Sequence, residues 1–172
     1  MKVKVHCRNF DREFKLALYS MVEFAMARLV TSSRLRKNLT IDVHLRRHSA
    51  EGEAMLAETA NPYRPREFKV IINHHALEID HYGRTRDMTE WAHEVLKTLA
   101  HELVHVKQYV LGELAMRKDG LYSRGIKYDV ETLSEYFELP YEIEAYGREK
   151  GLLVSFLAFW KQIEEEGLLD IS

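Results

Sequence analysis

The apolar patterning of this chain predicts an α+β fold, and three observations carry that reading. Residues 2–8, 39–46 and 68–73 alternate apolar and polar side chains, the period of strands with one buried face. Residues 11–30, 88–114 and 140–166 repeat apolar positions every three or four residues, the period of helices with one buried stripe. A chain of 172 residues that is 46% hydrophobic and 30% charged is long enough for one domain with its own core, residues 1–172, and short for two.

In chain order, Val3, Val5 and Cys7 alternate with Lys4, His6 and Arg8 in the first strand. In the first helix Phe14, Leu18, Met21, Val22, Ala25 and Leu29 share a side, and Thr31-Ser32-Ser33 ends it. Leu39, Ile41, Val43 and Leu45, alternating with Thr40, Asp42, His44 and Arg46, mark the clearest strand. The first half of residues 51–66 is expected to form a short helix, after which Asn61-Pro62 and Arg64-Pro65 impose extended or turn backbone. Phe68, Val70 and Ile72 line one face of a third strand, and a polar connection follows over residues 74–86. Asp87 with Glu90 three residues on reads as an amino-terminal cap, so the central helix starts near 88. Residues 117–120 break the chain, and residues 121–130 suggest a β-hairpin around Arg124-Gly125. Pro140 suits the first turn of the last helix, which Gly167 stops.

The central helix carries His101-Glu102-Leu103-Val104-His105. In this HExxH pattern two histidines one turn apart can offer ring nitrogens to one zinc ion, and the glutamate between them lies beside the water that the metal activates. A shuffled chain with 9 His and 20 Glu would show the pattern about 0.05 times, so the surroundings have to decide. Counted around the helix from His101, Val95, Leu96, Leu99, Leu103, Val106 and Val110 fall roughly 120–220° round, whereas His105 lies near 40°. The histidines therefore face away from the main buried stripe.

A catalytic zinc takes three protein ligands and leaves one position open, so the pair needs a partner. With Glu142 as origin, Tyr146, Leu153, Phe156, Leu157 and Trp160 lie within about 60° on the last helix, an inward-looking arc that contains a carboxylate. A desolvated carboxylate is costly unless it pairs or binds metal, which selects Glu142. Glu144, about 200° away in a solvent-facing set with Arg148, is the alternative.

His101 and His105 followed 37 residues later by Glu142-Ile143-Glu144-Ala145 resembles the small zincin-fold metallopeptidases whose third ligand is a glutamate, the IrrE/ImmA-like and HtpX-like families, where that glutamate opens an ExxA pattern. The order of elements is also similar, more distantly, to the SprT-like zincins, but no histidine follows His105 to serve as their third ligand. The resemblance implies a zincin-like fold: a small twisted sheet of about three to five strands packed against the active-site helix and a ligand-bearing C-terminal helix. It also implies an edge strand beside the cleft, for which residues 68–73 are the best candidate, pairing with an extended peptide. Tyr146 stands where those families place an Asp or Asn against a zinc-bound histidine. The metzincin extension is absent, since Gln108 and Leu111 occupy its Gly and His positions.

The expected activity is zinc-dependent hydrolysis of peptide bonds, with one Zn2+ on His101, His105 and Glu142 and with Glu102 as general base. Tyr122, Tyr128, Tyr136 and Tyr146 are candidates to stabilise the oxyanion, and Glu94 and Gln108 to support the ligands. His74, His75 and His81 read as ordinary loop histidines, and Phe156 and Trp160 as core. The other class the sequence allows is a non-catalytic zinc-binding regulatory or interaction module; an intact Glu102 favours the enzyme. The partner expected is a protein or peptide substrate: a net charge of −2 argues against nucleic acid and membrane surfaces. A lone Cys7 and the lack of an apolar leader suggest a cytoplasmic protein.

Overall fold

A computed structural model describes residues 1–58, 60–129 and 132–167. The chain runs β1 (Lys2–His6), α1 (Arg12–Leu29), α2 (Ser33–Lys37), β2 (Thr40–Leu45), β3 (Gly52–Leu56), β4 (Glu67–Ile72), α3 (Met88–Val110), β5 (Leu114–Arg117), β6 (Gly120–Ser123), β7 (Ile126–Lys127), α4 (Leu133–Phe137) and α5 (Pro140–Glu165). A single turn of 3-10 helix, Ala76–Glu78, lies in the connection before α3. The α+β class expected from the patterning is observed, with a mixed four-stranded sheet in the order β1-β2-β4-β3 and a separate three-stranded sheet, β5-β6-β7.

Strands β1, β2 and β4 are parallel, and β3 joins the outside of β4 antiparallel. Val3, Val5, Ile41, Val43, Phe68, Val70 and Ile72 all belong to one core with α1, α3 and α5. By the alternation of the pleat, Lys4, His6, Asp42, His44 and Lys69 point to the opposite face. Leu18, Met21, Val22 and Ala25 of α1 are fully buried, as their spacing predicts, and the helix is capped by Asp11, whose carboxylate accepts from the Phe14 amide at 2.7 Å.

Two expectations are corrected. In the first half of residues 51–66, Gly52–Leu56 form strand β3 rather than a helix: the free edge of β4 offers backbone partners, and that pairing overrides the helical propensity of Glu, Ala, Met and Leu. For the same reason the strand at residues 68–73 is not an edge, since β4 lies between β2 and β3 and the edge nearest α3 belongs to β3. Two short helices, α2 and α4, have no apolar periodicity to announce them and were not foreseen.

The central helix begins at Met88 behind a complete capping box between Asp87 and Glu90. It ends at Val110, earlier than the apolar pattern suggests, because Gly112 adopts φ 76°. Its amide bonds the Tyr109 carbonyl at 3.1 Å and the Glu113 amide bonds the Gln108 carbonyl at 2.8 Å, the double bond of a Schellman motif. Leu114 thus becomes the first residue of β5. The expected hairpin is present as β6 and β7, turning through Arg124 (φ 49°) and Gly125 (φ 84°), and β5 adds a third strand. Its predicted end at Val130 lies outside the described residues. Among the described residues no helix is long and apolar enough to cross a membrane.

Gly112 has open space around its Cα, so substitution there tests backbone strain alone. Gly112→Ala is expected to destabilise the protein by about 1 kcal/mol, because an L side chain disfavours the left-handed conformation. Urea unfolding with an unchanged m-value and a lower midpoint is the measurement.

Candidate metal centre

Helix α3 crosses beneath the sheet edge and presents His101 and His105 one turn apart, while the first turn of α5 carries Glu142. The structure brings these three buried side chains together, each offering one ligand atom within 4.8 Å of the others. His101 Nε2 lies 3.2 Å from His105 Nε2 and 3.3 Å from Glu142 Oε2, and His105 Nε2 lies 3.4 Å from Glu142 Oε1.

The surroundings decide which nitrogen of each ring carries its proton. Gln108 donates its amide to the Tyr141 carbonyl at 2.9 Å and to Glu144 at 3.1 Å, so its Oε1 must accept at 2.8 Å from His105 Nδ1. Glu149 accepts from His101 Nδ1 at 2.9 Å. With both protons on Nδ1, two Nε2 lone pairs and a carboxylate converge on one buried space, and Glu142 Oε2 is left without a hydrogen-bond donor. Acceptors packed in this way need a cation between them.

Protons answer the same demand. Burial alone would lower His101, yet its bonds with Glu142 and Glu149 outweigh that and raise it to about 9. Burial would raise Glu142, but the two imidazoles bring it down to about 2. A metal ion competes with these protons for the same lone pairs. Two imidazoles and one carboxylate are a donor set that divalent transition ions accept, so the group could hold a metal ion.

Glu102 stands apart from the trio. Burial pushes its carboxyl up to about 7 against the opposing pull of His105 and His101, and it accepts from the Ala54 amide of β3. Gly52, at the start of that strand, gives it room: a Cβ there would lie 2.5 Å from Glu102 Oε1 and 2.8 Å from the Thr98 methyl. Tyr136 of α4 hydrogen-bonds Glu142 and lines the cleft on both sides of Glu102.

The other residues singled out in the sequence are sorted by this geometry. Gln108 supports His105, whereas Glu94 pairs with Lys97 at 2.6 Å and does not reach the trio. Glu144 is not a ligand candidate: its carboxylate is held by Lys107 at 2.8 Å, Arg148 at 2.8 Å and Gln108, half-buried rather than freely solvated. Tyr146 packs its ring edge-on against His101, and Tyr122 bonds Asp119 on β6 instead of turning to the site. His81 lines the cleft, His74 and His75 line a different groove, and Phe156 and Trp160 are core. Glu149 was missed. Its signal was its spacing, seven residues after Glu142 and therefore two turns along the same face of α5.

No family model, no curated protein and no solved structure matches this chain.

Glu149→Ala is expected to weaken metal affinity about 10–100-fold by freeing the His101 ring, and Glu142→Ala to weaken it further by removing a donor. Glu144→Ala leaves all three donors in place and is expected to have the smallest effect. Calorimetric titration of zinc into the three variants gives the order; equal losses for Glu144→Ala and Glu142→Ala would mean that the trio is misassigned.

Proposed function

We propose that this protein is a zinc-dependent metallopeptidase of zincin-like architecture, with His101, His105 and Glu142 as metal ligands and Glu102 as the acid–base group. The observation that carries the reading is the pairing of a buried, acceptor-only trio with a separate carboxylate whose affinity for protons is raised to near neutrality. A purely structural zinc site is closed by four protein ligands and has no use for such a group.

Zinc held by the three ligands supplies Lewis acidity at its remaining position. Glu102, fixed by the Ala54 amide, takes a proton from the attacking water and delivers it to the leaving amine. A group poised near pH 7 is suited to both halves of that transfer. The Tyr136 hydroxyl, beside Glu142 and in the wall of the cleft on both sides of Glu102, is the donor assigned to the developing oxyanion.

The sheet edge supports a substrate route. Asn73 donates to the Glu51 carbonyl and Ala57 to the Glu67 carbonyl, so in antiparallel alternation Gly52, Leu56 and the Ala54 carbonyl are left facing outward, the Ala54 amide being taken by Glu102. An extended peptide adds to that edge as a further strand. On one side of Glu102 it meets an apolar cavity of about 470 Å³ with Met55, Leu56, Leu114, Met116 and Leu121 in its walls, which takes an apolar side chain.

Two experiments test this. Wild-type protein is expected to retain zinc and to cleave a loosely folded protein substrate, and Glu102→Gln to retain zinc with at least a 100-fold loss of cleavage, the size of a general acid–base contribution. Zinc retained with equal cleavage by both would identify a non-catalytic zinc-binding module; no zinc in either would remove both readings. Gly52→Ala is expected to reduce cleavage without changing zinc content, because the added methyl collides with Glu102 and not with the ligands.

A further inference from the structure

The opposite face of the four-stranded sheet carries a second cluster of donor side chains. His6 and His44 are directly opposed in the register of parallel strands β1 and β2, and Asp42 precedes His44 by two residues on the same face. Each of the three offers one ligand atom within 4.8 Å of the other two. The two rings are stacked, centroids 4.3 Å apart and planes 12° from parallel, with His6 exposed and His44 half-buried.

Two features separate this cluster from a chance gathering of polar residues. Asp42 Oδ1 is buried and has no hydrogen-bond donor, while Oδ2 makes only a 3.5 Å ion pair with Lys4. Neither imidazole is hydrogen-bonded to another described residue, so both keep their lone pairs free. The nearby group His74, His75 and Glu78 differs in this respect, because His75 Nδ1 is already bonded to Glu78 at 2.9 Å and both are exposed.

We propose that His6, Asp42 and His44 form a second metal site, for a borderline divalent transition ion such as zinc, which clips the outer strand β1 to β2. The neighbouring charges narrow the ion. A hard cation such as Ca2+ or Mg2+ needs several oxygen ligands, whereas this cluster has one carboxylate and lies close to Lys4, Lys69 and Arg46. Imidazole nitrogens suit zinc, nickel and copper, which bind neutral rings by covalent donation. The positive surroundings and the open face make the site weaker than the buried trio, and its effect is mechanical: the occupied site ties the N-terminal strand to the sheet.

The test uses zinc and the full chain. Calorimetric titration of the wild type is expected to show a weaker equivalent beyond the one at His101, His105 and Glu142. His6→Asn and Asp42→Asn are expected to lose only the weaker event, and Glu142→Gln only the tighter one, so failure of either site is read separately. The metal-free melting curve of each variant is the reference against which its zinc shift is read. Zinc is expected to raise the melting temperature of Glu142→Gln and not that of Glu142→Gln combined with His6→Asn. A single binding event in the wild type, or a weaker event that survives both His6→Asn and Asp42→Asn, would overturn the proposal.

Discussion

Two imidazole lone pairs and a carboxylate cannot share a buried space unless a positive charge lies between them, and much of this fold serves to hold them there. The convergence is enforced from behind. Glu149 pins one ring and Gln108 the other, and Gln108 is itself fixed by the Tyr141 carbonyl and by Glu144. Lys107, nearly buried, closes this outer layer by bridging Glu113 and Glu144 at 2.7 and 2.8 Å. The contacts between α3 and α5 are therefore polar where they orient the ligands and apolar further along, where Phe156 and Trp160 join the core. Removing a member of the outer layer leaves its neighbour buried with an unmatched donor or acceptor, so the layer acts as a unit.

The second constraint is the close approach of β3 to α3. Glu102 fits against the strand because Gly52 has no side chain, and it receives the Ala54 amide because that residue turns its backbone away from β4. The same alternation that frees the edge for another strand also supplies the donor that fixes the proposed base. An edge strand is ordinarily a liability that proteins blunt. In the proposed peptidase the cleft beside it gives the exposed backbone a use.

The sequence was most informative where a period repeated many times. The faces of α1 and α3, the strands β1, β2 and β4, and the inward position of Glu142 all follow from counting apolar residues around a helix or along a pleat. It was least informative where a short segment is decided by its neighbours. Residues 52–56 have the composition of a helix and become a strand because β4 has an unpaired side, which cannot be read locally. That single misreading also displaced the edge of the sheet from β3 to β4. Glu149 lay within reach of the same counting that selected Glu142, but a charged residue seven positions along an amphipathic helix has many explanations until a ring nitrogen is seen 2.9 Å away.

Glu149 does not hold the His101 ring alone. One turn after Glu142 stands Tyr146, whose ring lies edge-on against His101 at 4.5 Å between centroids. Tyr146 and Glu149 both project from the ligand-bearing side of α5, nearly one turn apart, so both meet the same imidazole. The aromatic ring excludes water from the imidazole while the carboxylate bonds it. A drier surrounding strengthens the bond between Glu149 and His101 and fixes the ring more firmly than an exposed carboxylate could. The two residues together thus meet one physical requirement, an anion on Nδ1 and a lone pair kept on Nε2.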